Sequence, residues 1–313
     1  MDIQSVCIFG GCGFVGRSLA EAAATGSLRV RVVTRQPMRA RSLTVLPTLE
    51  VAAGDPNDAA QLPRLLDDMD AAVNLVGVLH AGGGATFRSA HVELPRKIAE
   101  ACRAAGVRHL LHMSALGASR DAPSEYLRTK AEGEEAARSA GVPCTIFRPS
   151  VIFGENDKFL NVFAQLVRWF PMVPLAGAAA RFQPVWVEDV ARAMVAALGD
   201  HRTVGKAYEL CGPAVYTLAD LVRAVGDMTG HRRAVVGLPG PLAQMQAFML
   251  EHLPGKMMTR DNLRSMQVDN VCAGPFPDVF GFQPTPLEAV VPQYLAHDTL
   301  RDRYDRYRHY AGR

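Results

Sequence analysis

Apolar positions in the first half of the chain follow two alternating rhythms. Short, nearly continuous runs of Val, Ile, Leu and Ala occupy residues 5–10, 29–34, 49–53, 71–76, 109–114 and 144–148. Between them, over 13–24, 58–66, 89–105 and 125–140, apolar residues recur three or four apart. The first pattern is that of strands buried on both faces and the second that of amphipathic helices. Their alternation predicts an α/β architecture, a doubly wound parallel sheet with helices on both sides.

After Pro149 the rhythm changes. Pro and Gly become more frequent, and helical spacing returns in separate pieces at 159–170, 187–198, 218–229 and a Met-rich 241–258. The expected organisation is a nucleotide-binding domain over 1–150 and a smaller C-terminal α/β lobe over 151–313 that shares some elements with the first. No internal repeat or low-complexity tract stands out.

Composition narrows the classes. With 313 residues and 49% apolar content the chain can bury a sizeable core, which excludes disorder. The formal charge is only +3, and Lys and Arg are dispersed until the last stretch, so nucleic acid is not expected as a partner. Six cysteines, Cys7, Cys12, Cys102, Cys144, Cys211 and Cys272, are far apart and form no CxxC pair. They read as reduced thiols of a cytoplasmic protein. The start of the sequence has no secretory pattern, and no apolar run is long enough to span a bilayer. Any membrane contact is therefore expected to be peripheral, at the inner face. The histidines are scattered, and no metal site is proposed.

The first strand runs into Gly10-Gly11-Cys12-Gly13-Phe14-Val15-Gly16 and then a helix. Glycines there let the backbone turn sharply and approach a pyrophosphate, whose charge meets free N–H groups at the helix start. Gly10, Gly11, Cys12, Gly13, Phe14 and Val15 are thus candidate cofactor contacts of a Rossmann-type fold. Arg35 ends the second strand about twenty residues beyond Gly16, where an acidic residue would hold the ribose of NAD. A guanidinium there, helped by Arg39, suits a 2′-phosphate, so NADP(H) is preferred over NAD(H). Asp55 after the third strand could meet the adenine amino group or serve as a simple turn and cap. Val76 and Gly77 close the fourth strand beside the cofactor crevice, and Pro149 closes the sixth.

Tyr126 and Lys130 lie four apart on a predicted helix and so share a face. A neighbouring ammonium favours phenolate, lowering the Tyr126 pKa and fitting the phenol to exchange a proton with a carbonyl that gains or loses hydride. Ser114 ends the preceding strand at the carboxyl edge of the sheet and could hydrogen-bond the same oxygen.

With Gly10xxGly13xxGly16, Ser114, Tyr126xxxLys130, 148-RPSVIFG-154, 187-VEDVA-191 and 208-YELCGP-213, the chain resembles the extended and atypical short-chain dehydrogenase/reductase superfamily over nearly its whole length. Its finer features resemble the branch containing the nucleotide-binding accessory subunit of respiratory complex I. The resemblance implies a Rossmann fold binding NADPH, Lys130 on the nicotinamide ribose and Tyr126 as acid/base. It does not imply turnover, because that subunit is thought to hold its nucleotide structurally. Gly11-Cys12 departs from the Ala-Thr-like pair of relatives, and Cys12 is either an inert small thiol or an oxidation-sensitive one.

Farther on, Leu242, Met245, Met249 and Leu253 are spaced as one soft apolar helix face. It could pack on the core, cover a hydrophobic substrate such as a quinone or lipid, or dock on a membrane or respiratory complex. Residues 301–310 mix basic and aromatic side chains and read as an exposed helix with internal ion pairs. Two functions follow: an oxidoreductase acting on a carbonyl, quinone or alcohol, or a catalytically silent NADPH-binding accessory or sensor protein of complex I or quinone biosynthesis.

Overall fold

A computed structural model describes residues 1–80, 86–252 and 258–295. The first half runs β1 (Ser5–Phe9), α1 (Phe14–Thr25), β2 (Arg29–Thr34), β3 (Leu49–Ala53), α2 (Leu62–Leu66), β4 (Ala71–Asn74), α3 (Leu94–Ala104), β5 (His109–Met113), α4 (Glu125–Ser139) and β6 (Cys144–Pro149). The second half begins with β7 (Ile152–Phe153), α5 (Leu160–Trp169), β8 (Met172–Leu175), β9 (Arg181–Phe182), β10 (Val185–Trp186), α6 (Val187–Gly199) and β11 (Ala207–Leu210). It continues through β12 (Tyr216–Thr217), α7 (Leu218–Met228), β13 (Ala234–Gly237), α8 (Gly240–His252), α9 (Arg260–Ser265) and α10 (Leu287–Leu295).

Seven strands form one sheet in the order β11-β6-β5-β4-β1-β2-β3, every neighbouring pair parallel. Because side chains alternate across a strand, β1 feeds two cores. Val6 and Ile8 pack with Leu19 of α1 and Val190 and Met194 of α6. Cys7 and Phe9 pack on the other side with Leu94, Ile98 and Cys102 of α3. Burial on both faces explains why these strands are almost wholly apolar. β1 lies between β2 and β4, so successive crossovers leave it in opposite directions and open a crevice at its carboxyl end.

Several expectations are refined. α6 and β11 complete the nucleotide-binding sheet from beyond residue 150, and β11 was not anticipated as a strand: only four residues long, it carries Tyr208 and Glu209 in its middle. Helix α2 is one turn rather than the expected span from 58. The segment at 89 begins as a π-turn over Ser89–Glu93 before α3. Pro95 has no N–H to give the His91 carbonyl, which removes an α-helical bond and favours the wider turn.

The cysteines require a correction. Cys7, Cys102 and Cys144 are buried free thiols, and Cys12 is free and partly buried, but Cys211 and Cys272 form a disulfide. Residues 61 apart in sequence meet only because the chain after α9 returns to the end of β11.

The C-terminal lobe has its own core, built from Phe153, Leu160 and Phe163 with Leu221, Val225 and Val291. α8 departs from the simplest expectation for it. Its inward residues are Ala243 and Ala247, while Leu242, Met245, Phe248 and Met249 are exposed. Leu253 and the tail 301–310 lie outside the described residues. Among the described residues no helix is long and apolar enough to cross a membrane.

Candidate functional site

The turn after β1 is built around close backbone contact. Gly10 has φ +86°, open to glycine at little cost, and its carbonyl accepts the Gly13 N–H at 2.9 Å. A Cβ on Gly16 would lie 2.3 Å from the Gly10 oxygen and 2.6 Å from the Gly11 Cα, so α1 can seat against the turn only through glycine. Gly13 caps α1 without any side-chain hydrogen bond, and the first turn holds no acidic residue. The amides around Phe14 and Val15 thus present partial positive charge without a resident anion. The Phe14 ring lies against Gly154, where a Cβ would approach it to 3.2 Å. Arg17 fastens the turn from behind, donating to Cys12 O at 3.3 Å, Ser42 Oγ at 2.9 Å and Arg39 O at 2.9 Å.

Arg35 and Arg39 follow β2 and are exposed, and neither guanidinium makes a hydrogen bond or ion pair among the described residues. Asp55 is turned to its own loop, where Oδ1 accepts from the Asn57 backbone at 3.0 Å and side chain at 2.9 Å. Partial burial works to raise its pKa, but these bonds and the nearby charges of Arg35 and Lys97 outweigh it and hold the carboxyl below its ordinary value.

At the carboxyl ends of β4 and β5 the chemistry-bearing residues converge. Lys130, 6% exposed, donates to Met113 O at 3.1 Å and lies 3.2 Å from where a Gly77 Cβ would be. Burial brings its pKa down to about 8, against the pull of Glu134. Ser114 follows Met113 directly; it is 3% exposed, its N–H donates to Phe147 O at 2.7 Å, and its Oγ has no hydrogen-bond partner among the described residues. Asn74 accepts the Val76 N–H through Oδ1 at 3.1 Å and reaches His112 Nδ1 at 3.2 Å. Pro149 is buried at the end of β6, and its carbonyl accepts the Leu116 N–H at 2.9 Å.

Tyr126 is half-buried in the first turn of α4, edge-on to His91 at 5.4 Å and Phe87 at 6.1 Å. Its environment reverses one expectation: burial pushes its pKa up to about 12, and Lys130 is not among the groups that move it. Lys130 is directed at the β5 carbonyl instead.

Two histidines escaped the sequence reading. His91 Nε2 accepts the Val78 N–H at 3.1 Å, which leaves Nδ1 as the donor to Thr129 Oγ1 at 3.0 Å. The ring therefore ties the 77–78 loop to α4, one residue before Lys130. Burial and the Lys130 charge bring the pKa of His91 down to about 3, and burial with Lys130 and Arg138 does the same to His112. Nothing in their sequence spacing marks them, because a π-turn and a neighbouring strand bring them to this locus.

α4 itself is held at both ends. Ser124 accepts the Leu127 N–H at 3.2 Å, and the Asp261 carboxylate of α9 accepts from Glu125 N at 2.9 Å and Tyr126 N at 3.0 Å. Farther along, Glu134 receives a two-pronged contact from Arg148 of β6 at 2.8 and 2.6 Å.

The glycine cradle, the uncapped α1 amides and the orphaned Ser114 hydroxyl fit a dinucleotide lying across the crevice, and with this sheet they define a short-chain dehydrogenase/reductase-type protein. The chain belongs to the NAD(P)H-binding family, whose profile matches residues 10–201. It is 33% identical over 308 residues to the mitochondrial NADH dehydrogenase [ubiquinone] 1 alpha subcomplex subunit 9 of Mus musculus, covering 94% of this chain and 80% of that protein. It is 31% identical over 249 residues to the ceramide reductase of Caulobacter vibrioides, covering 75% and 74%. Among solved structures, an NADPH-dependent quinone oxidoreductase of Escherichia coli in complex with NADPH matches with TM-score 0.74 over 93% of this chain and 99% of that one; at 19% identity this likeness is one of fold.

Proposed function

We propose that the protein is an NADP(H)-dependent reductase of a hydrophobic carbonyl or quinone, with the amides of residues 10–15 on the diphosphate and Val76, Gly77 and Pro149 flanking the nicotinamide. When bound, the reduced cofactor supplies hydride; the chain's residues position the acceptor and manage its proton. The observation that carries this reading is the Ser114 hydroxyl, buried without a partner among the described residues, next in sequence to the Met113 carbonyl that holds Lys130. A buried unmatched hydroxyl costs stability and is relieved by a ligand oxygen. Tyr126 is the proton donor in this reading, and Lys130 supports the cofactor ribose and the phenol once Met113 O is exchanged for ligand oxygens. Exposed Arg35 and Arg39 beyond β2 favour a 2′-phosphate, hence NADP(H) over NAD(H). The ceramide reductase relative supports a lipid-like substrate.

A second reading rests on the likeness to the complex I subunit and on the raised Tyr126 pKa. There the nucleotide stabilises the fold of an accessory or sensor protein without turnover. Purified protein should oxidise NADPH in the presence of a long-chain ketone or quinone, with Tyr126→Phe lowering kcat at least about a hundredfold while NADPH affinity stays within about threefold. Nucleotide binding without turnover in either form would favour the accessory reading.

A further inference from the structure

Helix α8 is apolar on its outward as well as its inward side. Small residues, Ala243 and Ala247, face inward, while Leu242, Met245, Phe248 and Met249 face out, Met249 being 62% exposed. From Gly240 to Leu250 the helix carries no charged residue. Gln246 pins it to β8, accepting the Ala176 N–H at 3.0 Å and donating to Pro174 O at 2.9 Å. β8 pairs with β13, and the outer face of that ribbon exposes Met172 and Val236. The turn into β8 carries Phe170 and Trp169, the latter 76% exposed. Scattered single apolar residues are ordinary on a surface, but large ones gathered on contiguous elements mark a contact face.

The charges around this face are mainly cationic. Arg168 stands over the Trp169 ring at 6.0 Å, and Arg233 donates to the Val167 carbonyl at 2.9 Å; neither has a carboxylate partner among the described residues. Arg260 lies over Phe248 at 5.4 Å with Glu251 as its partner, and Arg232 pairs with Asp227. An uncharged face of Leu, Met, Phe and Trp with unpaired arginines beside it suits the headgroup and acyl boundary of an anionic bilayer.

We propose that α8 and the α5–β8 corner form a membrane-docking surface for anionic lipid. The position of α9 gives this surface a functional sense. It packs between α8 and α4, and its Asp261 holds the amide of Tyr126. Docking would thus bring a bilayer next to the element that organises the site, from which a membrane-resident substrate could enter. The docking claim is independent of hydride transfer.

Sedimentation with vesicles of phosphatidylcholine alone and of phosphatidylcholine with phosphatidylglycerol tests it on the full chain. Binding is expected chiefly to the anionic vesicles. The Leu242→Gln, Met245→Gln and Met249→Gln triple variant should lower partitioning at least about tenfold, and Arg168→Gln with Arg233→Gln should abolish most of the preference for anionic lipid. The melting-temperature rise on adding NADPH serves as the folding control, since the cradle lies on other elements. Absence of wild-type binding to both vesicle types, or equal binding by the triple variant, would overturn the proposal. So would a wild-type dimer that the triple variant converts to monomer without any lipid binding, which would assign the face to a second copy of the chain.

Discussion

Gly16 shows how little freedom the nucleotide turn allows. A methyl group there would sit inside contact distance of three backbone atoms, none of which can swing away as a side chain could. Gly16→Ala is expected to cost about 1–3 kcal/mol of stability and to weaken nucleotide binding at least about tenfold, because the helix must move off the turn. Calorimetric titration and thermal melting check both; unchanged affinity would mean that the turn is not the diphosphate cradle. At this scale the sequence is most informative where a residue type has few alternatives. The glycines, Ser114 and the Tyr126–Lys130 pair stand out as candidates for that reason, and the fold sets Lys130 on the Met113 carbonyl, one residue before Ser114, and against Gly77. What spacing could not give is solvation. The expected depression of the Tyr126 pKa considered only the Lys130 charge, whereas burial, visible only in three dimensions, drives it the other way.

Helix α4 carries Tyr126 and Lys130, and its position depends on contacts from distant parts of the chain. The Asp261 carboxylate supplies both hydrogen bonds and a favourable charge at its N-terminus. Asp261→Ala should lower stability by about 1–2 kcal/mol and reduce turnover more than NADPH affinity, since the cradle lies on β1 and α1. Denaturant titration and steady-state kinetics separate these effects; equal loss of both would show that α9 acts on the whole fold. Elements with long, regular periodicity were legible in sequence, as were the six strands whose continuous apolar runs fill both cores. β11 was not, because its outer position tolerates Tyr208 and Glu209. Nor was the π-turn, which depends on Pro95 removing a single hydrogen-bond donor, nor the outward face of α8, since spacing shows a stripe but not which way it points.

Over the whole molecule, buried histidines contribute to the response to acid. His91 and His112 have folded pKa values brought down to about 3, and His109 is also lowered by burial, against an ordinary value of 6.5. As pH falls below 6.5, the unfolded chain takes up protons that the folded chain refuses, so stability is lost progressively toward pH 3. His91 and His112 each add up to about 1.4 kcal/mol per pH unit in that window. Melting temperatures between pH 6.5 and 4.5 should therefore fall steeply, and less steeply in His91→Gln; parallel profiles would show that His91 is not held neutral. Preference for a 2′-phosphate is read by equilibrium titration of NADPH and NADH into the wild type and Arg35→Ala. Saturable binding of both is expected, at least about tenfold tighter for NADPH, with the difference largely removed by the substitution. No binding of either nucleotide to the wild type would contradict the cofactor proposal.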